Sequence, residues 1–328
     1  MSRAHEILEE LREFMKNRVV LTAAELGLFD LLVEKPGQKA VDIAKAKGLN
    51  ERALSRLMDC LVALGYLEKE DNSYFITEKG EFLSSGHQET ILPMVLHYVH
   101  LWDNWSGLTD SVKLGYNPRR IGVMADPERQ KSFIGAMHVV GRDMANEIAA
   151  FYDASDRQIL LDVGGGSGVY TIAFLKRHEN LRAVLFDLPD VIPIARQYVK
   201  AEGLEDRVEF VEGDFYGDPL PSGSDLVLLS AIIHQNSPSE NISLYRKAYD
   251  ALVPGGKLLI RDHVMDKNRT SPPAGTLFAL NMLVCTPGGD TYTFPEIKAH
   301  LEKAGFSRVR LLRKGPKMDC LVEAEKER

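Results

Sequence analysis

The sequence predicts an α/β protein with a doubly wound, seven-stranded sheet. An N-terminal domain, predicted to be an all-α domain with a winged helix, precedes this sheet. Two observations predict the sheet. From Ile159 onward short apolar strands alternate with helical patterns, and the first strand, 159–163, runs into a glycine-rich turn at 164–168. A third observation, two short helices followed by a hairpin within residues 42–76, predicts the winged helix.

The N-terminal part of the chain has the pattern of several helices and then a hairpin. Apolar residues recur at helical spacing over 5–29, which predicts one or two amphipathic helices. Short helices over 42–47 and 50–64 follow, and Asn50 is suited to cap the second of them. The hairpin that comes next has two predicted strands, 66–68 and 74–76.

A winged helix can bind DNA through its second helix, but this one is poorly suited to that role. It carries Arg52 and Arg56 together with Glu51 and Asp59, and its other positions are largely apolar. A helix that reads DNA places several cationic and amide side chains on one face. We therefore expect the domain to pack against another subunit, as in a homodimer.

Seven segments in the second half of the chain have the composition of buried strands. They are 159–163, 183–186, 208–211, 226–230, 258–261, 309–312 and 320–323. Pro254-Gly255-Gly256 predicts the turn before the fifth strand, and Gly315-Pro316 predicts that the last two strands form an antiparallel pair. We expect three regions: a winged-helix dimerisation domain over 1–88, a helical linker that lines the substrate over 89–152, and a cofactor-binding domain over 153–328.

Composition limits the partners of this 328-residue chain and its location. A net charge of −7 disfavours a nucleic-acid backbone as the main partner. Cys60, Cys285 and Cys320 are odd in number and far apart, so they make neither a disulfide framework nor a metal pattern and favour a reducing cytoplasm. No apolar run is long enough to span a bilayer, and we expect no metal and no membrane partner.

The glycine-rich turn has the spacing D-x-G-x-G-x-G, formed by Asp162, Gly164, Gly166 and Gly168. Glycine allows positive φ and the close approach of a nucleotide-like ligand. A dinucleotide-binding loop would have glycine at Val169, which disfavours NAD. The acid before the glycines would repel a pyrophosphate but suits the ammonium of S-adenosylmethionine. A purely structural strand-to-helix turn remains the alternative.

Polar residues also follow the later strands, at the edge where ligands bind in open α/β sheets. Asp187 follows the second strand and is placed to hydrogen-bond ribose hydroxyls. Asp214 follows the third strand and is placed to accept from an adenine amino group, with Phe215 packing on the ring. We expect Leu188 and Ser230, on the same edge, to contribute to the same site.

His234 follows the fourth strand and Asp262 ends the fifth. A neutral hydroxyl is a poor nucleophile until its proton is removed, and an imidazole that titrates near neutral pH can remove it. Asp262 could then hydrogen-bond the other ring nitrogen of His234 and fix its tautomer. The alternative is a histidine that only packs or caps a helix.

As an ordered series, these motifs resemble the bacterial and plant small-molecule O-methyltransferases of the caffeic-acid and hydroxyindole type, which dimerise through an N-terminal winged helix. The segments that carry the resemblance are 19–84, 161–168, 186–189, 212–215, 254–257, 286–289 and 304–306. It implies a Rossmann-like methyltransferase sheet, S-adenosylmethionine as donor with S-adenosylhomocysteine as product, and His234 as the base. The residues expected to line the acceptor are Trp105, Phe133, Met137, His138 and Met282.

The sequence departs from the family pattern beside the predicted base. The family's His-Asp-Trp is here His234-Gln235-Asn236, Asp262 replaces a glutamate, and Thr291 stands where a second glutamate is expected. Two other functions therefore stay open. One is a carbon or sulfur methyltransferase in which His234 only orients the acceptor, and the other is a DNA-binding regulator that senses S-adenosylmethionine.

Overall fold

Two units make up the computed structural model, which describes residues 2–327. The first contains the residues up to Trp102 together with Asp126–Val139, and the second contains Asp103–Ala125 together with the residues from Val140 onward. Within the described residues, no helix is long and apolar enough to cross a membrane. All three cysteines are free thiols.

The first unit is built from helices and one small antiparallel sheet. Its elements are α1 (Arg3–Glu25), α2 (Leu28–Glu34), β1 (Gln38–Lys39), α3 (Ala40–Lys47), α4 (Glu51–Ala63), β2 (Leu67–Glu70), β3 (Ser73–Ile76), α5 (Glu78–Glu81), most of α6 (Leu92–Trp105) and the first half of α8 (Pro127–Phe151). The predicted hairpin is β2 and β3, joined by Asp71 and Asn72, which both have positive φ. Asn50 caps α4 by accepting from the Ala53 amide at 3.0 Å.

The second unit contains the predicted seven-stranded sheet. Its helices are α7 (Leu108–Leu114), the end of α8, α9 (Val169–Arg177), α10 (Ile192–Ala201), α11 (Pro238–Ala251), α12 (Pro273–Cys285) and α13 (Phe294–Lys303). Its strands are β4 (Ile159–Val163), β5 (Arg182–Asp187), β6 (Val208–Glu212), β7 (Ser224–Ser230), β8 (Leu252–Asp262), β9 (Val264–Met265), β10 (Tyr292–Thr293), β11 (Ser307–Arg313) and β12 (Cys320–Glu325).

The strand order of the sheet is β11-β12-β8-β7-β4-β5-β6. The five strands from β8 to β6 are parallel, and β11 and β12 form the predicted antiparallel pair at one side. The chain winds outward from β4 through β5 and β6, and then returns to add β7 on the other side of β4. This reversal places the carboxyl end of β4 at the point where such sheets bind ligands.

Both faces of the sheet are covered, which explains the continuous apolar runs of its strands. Leu258 and Ile260 of β8 pack in one core with residues of α11 and α13. Leu259 points to the other face and packs in a core with residues of α9, α10 and the end of α8. A third core lies within the first unit and is formed largely by α1 to α4.

The predicted turn at Pro254-Gly255-Gly256 is wrong. β8 already begins at Leu252 and contains these three residues, with an irregularity opposite Ser224 and Leu226. Gly255 has a φ of +78°, and its amide donates to the Lys326 carbonyl at 3.1 Å. Pairing with Lys326 therefore holds these residues within β8, with a local irregularity at Gly255.

A half-buried arginine, Arg207, ties the end of α9 to the start of β6. The Arg207 guanidinium donates to the carbonyls of Leu175, His178 and Leu181. The last carbonyls of a helix have no hydrogen-bond partner within the helix. A cation at this position donates hydrogen bonds to them and interacts favourably with the negative end of the helix dipole.

We expect Arg207→Met to destabilise the second unit by about 2–3 kcal/mol, because it removes several charged hydrogen bonds at once. Thermal unfolding followed by circular dichroism would show a lower melting temperature. Arg177→Met is the matched control, since Arg177 is an exposed arginine in α9, the helix whose end Arg207 contacts. Equal melting temperatures for the two variants would contradict the role given to Arg207.

Candidate active site

The glycine loop leaves β4 with a backbone that only glycine adopts without strain. Gly164, Gly166 and Gly168 have φ values of +66°, +58° and +77°, in a region that is unfavourable for residues with a Cβ. The Gly164 amide donates to the Phe186 carbonyl at 2.8 Å, which ties the loop to β5. A Cβ on Gly166 would meet no atom of the described chain within 4 Å. The loop therefore presents bare backbone to open space.

Asp162 lies beneath this loop rather than on its surface. It is buried, and its Oδ2 accepts from the Thr171 hydroxyl of α9 at 2.7 Å. Burial raises the pKa of Asp162 to about 6. The carboxyl group thus connects β4 to α9, and its predicted contact with a ligand ammonium stays a prediction.

Asp187, at the end of β5, is fixed directly beside the loop. Its Oδ2 accepts from the Gly166 amide and its Oδ1 from the Leu188 amide, both at 2.7 Å. Burial raises the pKa of Asp187, and these two amides act in the opposite direction. The structure thus brings Asp187, Leu188 and the loop together, as expected of a shared site.

Residues that follow β6 and β7 form a side wall of the same region. Phe215 is half-buried, and its Cε1 is 3.5 Å from the position that a Cβ on Gly164 would take. Ile232, which sequence reasoning missed, is closer still, with Cδ1 at 2.6 Å from that position. Asp214 is exposed and accepts from the Tyr216 amide at 2.9 Å.

His234 and Asp262 form a buried pair at the carboxyl ends of β7 and β8. Nδ1 of His234 lies 2.9 Å from Oδ2 and 3.0 Å from Oδ1 of Asp262. Burial acts to raise the pKa of Asp262, but the charge and hydrogen bond of His234 and the His263 amide outweigh it and hold the pKa below its usual value. An ionised carboxylate only accepts, so Nδ1 of His234 donates, and in the neutral imidazole Nε2 then carries the lone pair.

Several contacts fix the turn that carries His234. The Asp290 amide donates to the His234 carbonyl at 2.9 Å, and a Cβ on Gly289 would collide with that carbonyl. The Phe278 ring lies 4.8 Å from the His234 ring and 5.1 Å from the His263 ring. Phe278 had no sequence signal, because α12 is apolar on nearly all sides.

Asn236, one of the departures from the family pattern, is fully buried in a hydrogen-bond network. Its Nδ2 donates to Asn241 at 3.1 Å, and its Oδ1 accepts from the Tyr216 hydroxyl at 2.6 Å. The Tyr292 hydroxyl donates to the Asn236 carbonyl. Thr291 is also buried, and its hydroxyl donates to the Gly275 carbonyl at 3.4 Å. These positions hold the surrounding turns together.

The residues predicted to line the acceptor divide between the two units. Trp105 and Met282 lie in the second, where the Trp105 indole donates to Asn281 at 2.8 Å and Met282 is buried on α12. The first half of α8, in the first unit, carries Phe133, Met137 and His138, all half-buried.

Known proteins share this architecture along nearly the whole chain. The family model of the O-methyltransferase domain matches residues 105–307, and that of the O-methyltransferase dimerisation domain matches residues 8–86. The chain is 32% identical over 316 residues to the tetracenomycin polyketide synthesis 8-O-methyl transferase of Streptomyces glaucescens, covering 93% of this chain and 92% of that protein. It is 31% identical over 307 residues to the 3-hydroxy-5-methyl-1-naphthoate 3-O-methyltransferase of Streptomyces sahachiroi, covering 91% and 88%.

A solved structure agrees with these sequence matches. It is an O-methyltransferase from neocarzinostatin biosynthesis in complex with S-adenosylmethionine and 2-hydroxy-5-methyl naphthoic acid, with a TM-score of 0.78 and 26% identity, covering 95% of this chain and 96% of that one. The predicted fold and the predicted enzyme class are confirmed. The chain belongs to the O-methyltransferase family and carries the dimerisation domain of that family in its N-terminal part.

Proposed function

We propose that this protein transfers the methyl group of S-adenosylmethionine to a hydroxyl of a small aromatic or apolar molecule, with His234 as general base, and releases S-adenosylhomocysteine. The observation that carries this proposal is the buried His234–Asp262 pair at 2.9 Å. It stands at the same edge of the sheet as the glycine loop, so the groups needed to bind a donor and to activate an acceptor belong to one edge.

The donor side of this edge fits an adenosyl ligand. The open space in front of Gly166 leaves room for it, and the fixed Asp187 carboxylate beside the loop can accept from two ribose hydroxyls. Phe215 and Ile232 offer apolar surface for the adenine, and Asp214 is the exposed polar residue next to Phe215. S-Adenosylmethionine supplies an electrophilic methyl group on its sulfonium when it is bound there.

The acceptor side is organised to remove a proton. Because Asp262 holds the Nδ1 proton of His234, the lone pair on Nε2 can take the proton of an acceptor hydroxyl. The imidazolium that forms is stabilised by the Asp262 carboxylate, and the burial of the pair strengthens this attraction. Asp262 thus keeps His234 in the tautomer that accepts.

A flat aromatic acceptor is favoured by the surfaces near the base and by the relatives. The Phe278 ring stands edge-on to His234, and Met282 lies one helical turn away on α12. Two of the relatives are named for a tetracenomycin polyketide and a naphthoate. We propose that Trp105 and Met282, both in the second unit, line the acceptor.

The protein is further proposed to act as a homodimer joined through its N-terminal domain. Five large apolar side chains of α1, Ile7, Leu8, Leu11, Phe14 and Met15, are all more than half exposed. Their spacing places them on one stripe of the helix, which is the pattern of a face that packs against another helix. The family match of this region supports a second copy of the chain as the partner.

We expect Gly166→Val to weaken S-adenosylhomocysteine binding at least about 100-fold, or about 2.7 kcal/mol, because the side chain would fill the space meant for the ligand. Isothermal calorimetry measures the affinity. Gly203→Val is the matched control, since Gly203 has a similar φ of +68° and equally open surroundings. Unchanged affinity in Gly166→Val would remove the loop from the cofactor site.

We expect His234→Ala to lower turnover about 10²- to 10⁴-fold, the usual contribution of a general base, while cofactor affinity stays within a few fold. The assay uses labelled S-adenosylmethionine and a phenolic acceptor found by screening. His300→Ala, a substitution on α13, is the control. Near-normal turnover in His234→Ala would instead favour a histidine that only orients the acceptor, as for methylation at carbon or sulfur.

We expect the wild type to be a dimer in light scattering and Leu11→Glu to shift it to a monomer, because a charge would be buried in the α1 face. Val112→Glu, which changes an equally exposed apolar residue of α7, should leave the dimer intact. A wild-type monomer, or a dimer unaffected by Leu11→Glu, would exclude this face.

A further inference from the structure

A polar side chain stands on the face of α12 that meets the proposed base. The Phe278 ring of this helix lies 4.8 Å from the His234 ring. Asn281 and Met282 follow Phe278 by three and four positions, so their side chains share its face of the helix. Asn281 is half-buried there. A side-chain amide therefore lies within one helical turn of the residue that contacts His234.

The contacts of Asn281 fix the direction of its amide. The Trp105 indole nitrogen lies 2.8 Å from Oδ1 of Asn281. An indole N–H only donates, so the amide atom that faces it is the oxygen and not the nitrogen. The Cys285 thiol donates to the same oxygen, with 3.6 Å between the sulfur and Oδ1. Two donors thus converge on Oδ1 and leave Nδ2 to point elsewhere.

Asn104 in turn fixes Cys285 as a donor. The Asn104 side chain pairs with the backbone of Ile121, since its Oδ1 accepts from the Ile121 amide at 2.9 Å and its Nδ2 donates to the Ile121 carbonyl at 3.0 Å. The same Nδ2 donates to the Cys285 sulfur at 3.6 Å, so the thiol proton is free to point to Asn281. Burial raises the pKa of the Cys285 thiol, which keeps this proton in place.

The nitrogen of the Asn281 amide is left without a partner in the protein. Within residues 2–327, the hydrogen bonds of this side chain are the two that Oδ1 accepts, so both N–H groups of Nδ2 are available to a ligand. An amide nitrogen only donates, and it therefore matches a ligand atom that accepts, such as a carbonyl oxygen. The held amide presents a fixed donor on the helix face that meets His234.

We propose that Asn281 is a specificity-determining residue that donates a hydrogen bond to a carbonyl oxygen beside the acceptor hydroxyl. The substrate class is then a phenol with a conjugated carbonyl group ortho or peri to its hydroxyl. This inference rests on the proposed function, in which His234 takes the hydroxyl proton and S-adenosylmethionine supplies the methyl group.

The chemistry of such a phenol explains how a fixed donor assists the transfer. In the free molecule the hydroxyl donates to the neighbouring carbonyl, and this internal bond opposes removal of the proton. A hydrogen bond from Asn281 competes for the carbonyl. When the proton passes to Nε2 of His234, the negative charge spreads to the carbonyl oxygen, where the Asn281 N–H stabilises it. The phenolate oxygen then bonds to the methyl carbon, the carbon–sulfur bond breaks, and its electron pair stays on sulfur.

The test compares α-naphthol with the α-naphthol that carries an acetyl group ortho to the hydroxyl, in assays with labelled S-adenosylmethionine. We expect Asn281→Leu to lower kcat/KM for the acetyl compound about 10- to 100-fold, the value of a hydrogen bond to a charged group. For α-naphthol the change should stay within about twofold, because it has no carbonyl to lose the bond. Asn281→Asp should show the same selective loss, since its carboxylate still accepts from Trp105 and Cys285 but has no N–H to donate.

Controls separate this role from a structural one and from the reaction itself. Asn180→Leu makes the same change at an exposed asparagine in the turn between α9 and β5, and it should leave both rates unchanged. Calorimetry with S-adenosylhomocysteine should give both Asn281 variants the affinity of the wild type. If Asn281→Leu does not fold, Asn281→Asp decides the matter.

Two results would overturn the role of Asn281. One is an equal loss of activity with both naphthols, or no loss with the acetyl compound. The other is a wild type that methylates only phenols without a neighbouring carbonyl. A wild type that methylates no phenol at all would instead overturn the proposed function.

Discussion

The structure at the carboxyl edge of this sheet depends on one constraint: carboxylates removed from water need hydrogen-bond partners or an opposite charge. A carboxylate removed from water costs several kcal/mol unless hydrogen bonds or an opposite charge replace the lost hydration. Three acids at this edge, of which Asp162 and Asp262 are buried and Asp187 is half-buried, each find a partner in a segment that follows a strand. The partners are Thr171 for Asp162, the amides of Gly166 and Leu188 for Asp187, and His234 for Asp262. Satisfying the acids therefore also fixes the path of the chain where it leaves the sheet.

This constraint explains why the donor and acceptor sides of the edge are equally well defined. The bond from Gly166 to Asp187 joins the turn after β4 to the end of β5, so the shape of the glycine loop depends on a neighbouring strand. The bond from His234 to Asp262 joins the turn after β7 to the end of β8 in the same way. Both sites use pairs of adjacent parallel strands, whose relative position is held by the ladder between them.

Local chemistry made much of the fold predictable from the sequence. The glycine loop, the cap at Asn50 and the seven strands each have a signal within a few residues, and the edge rule for parallel sheets brought His234 and Asp262 together. The inclusion of Pro254-Gly255-Gly256 in β8 was missed because it depends on pairing with Lys326, which is distant in sequence. The contact of Phe278 with His234 was missed because the rotation of α12 decides which of its apolar side chains faces the histidine.

The departures from the family pattern leave the predicted base intact, and the geometry explains why. Asp262 is one methylene shorter than the glutamate of the family pattern, yet both of its oxygens lie within 3.0 Å of Nδ1 of His234. The shorter side chain reaches because the His263 amide holds Oδ1 and the Asp290 amide holds the His234 carbonyl. Asn236 replaces an indole with a fully buried amide, and its bonds to Tyr216 and Asn241 link the turn after β6 to the turn after β7. The substitution exchanges an aromatic surface for a polar connection between the turns after β6 and β7, and it leaves the bond between His234 and Asp262 in place.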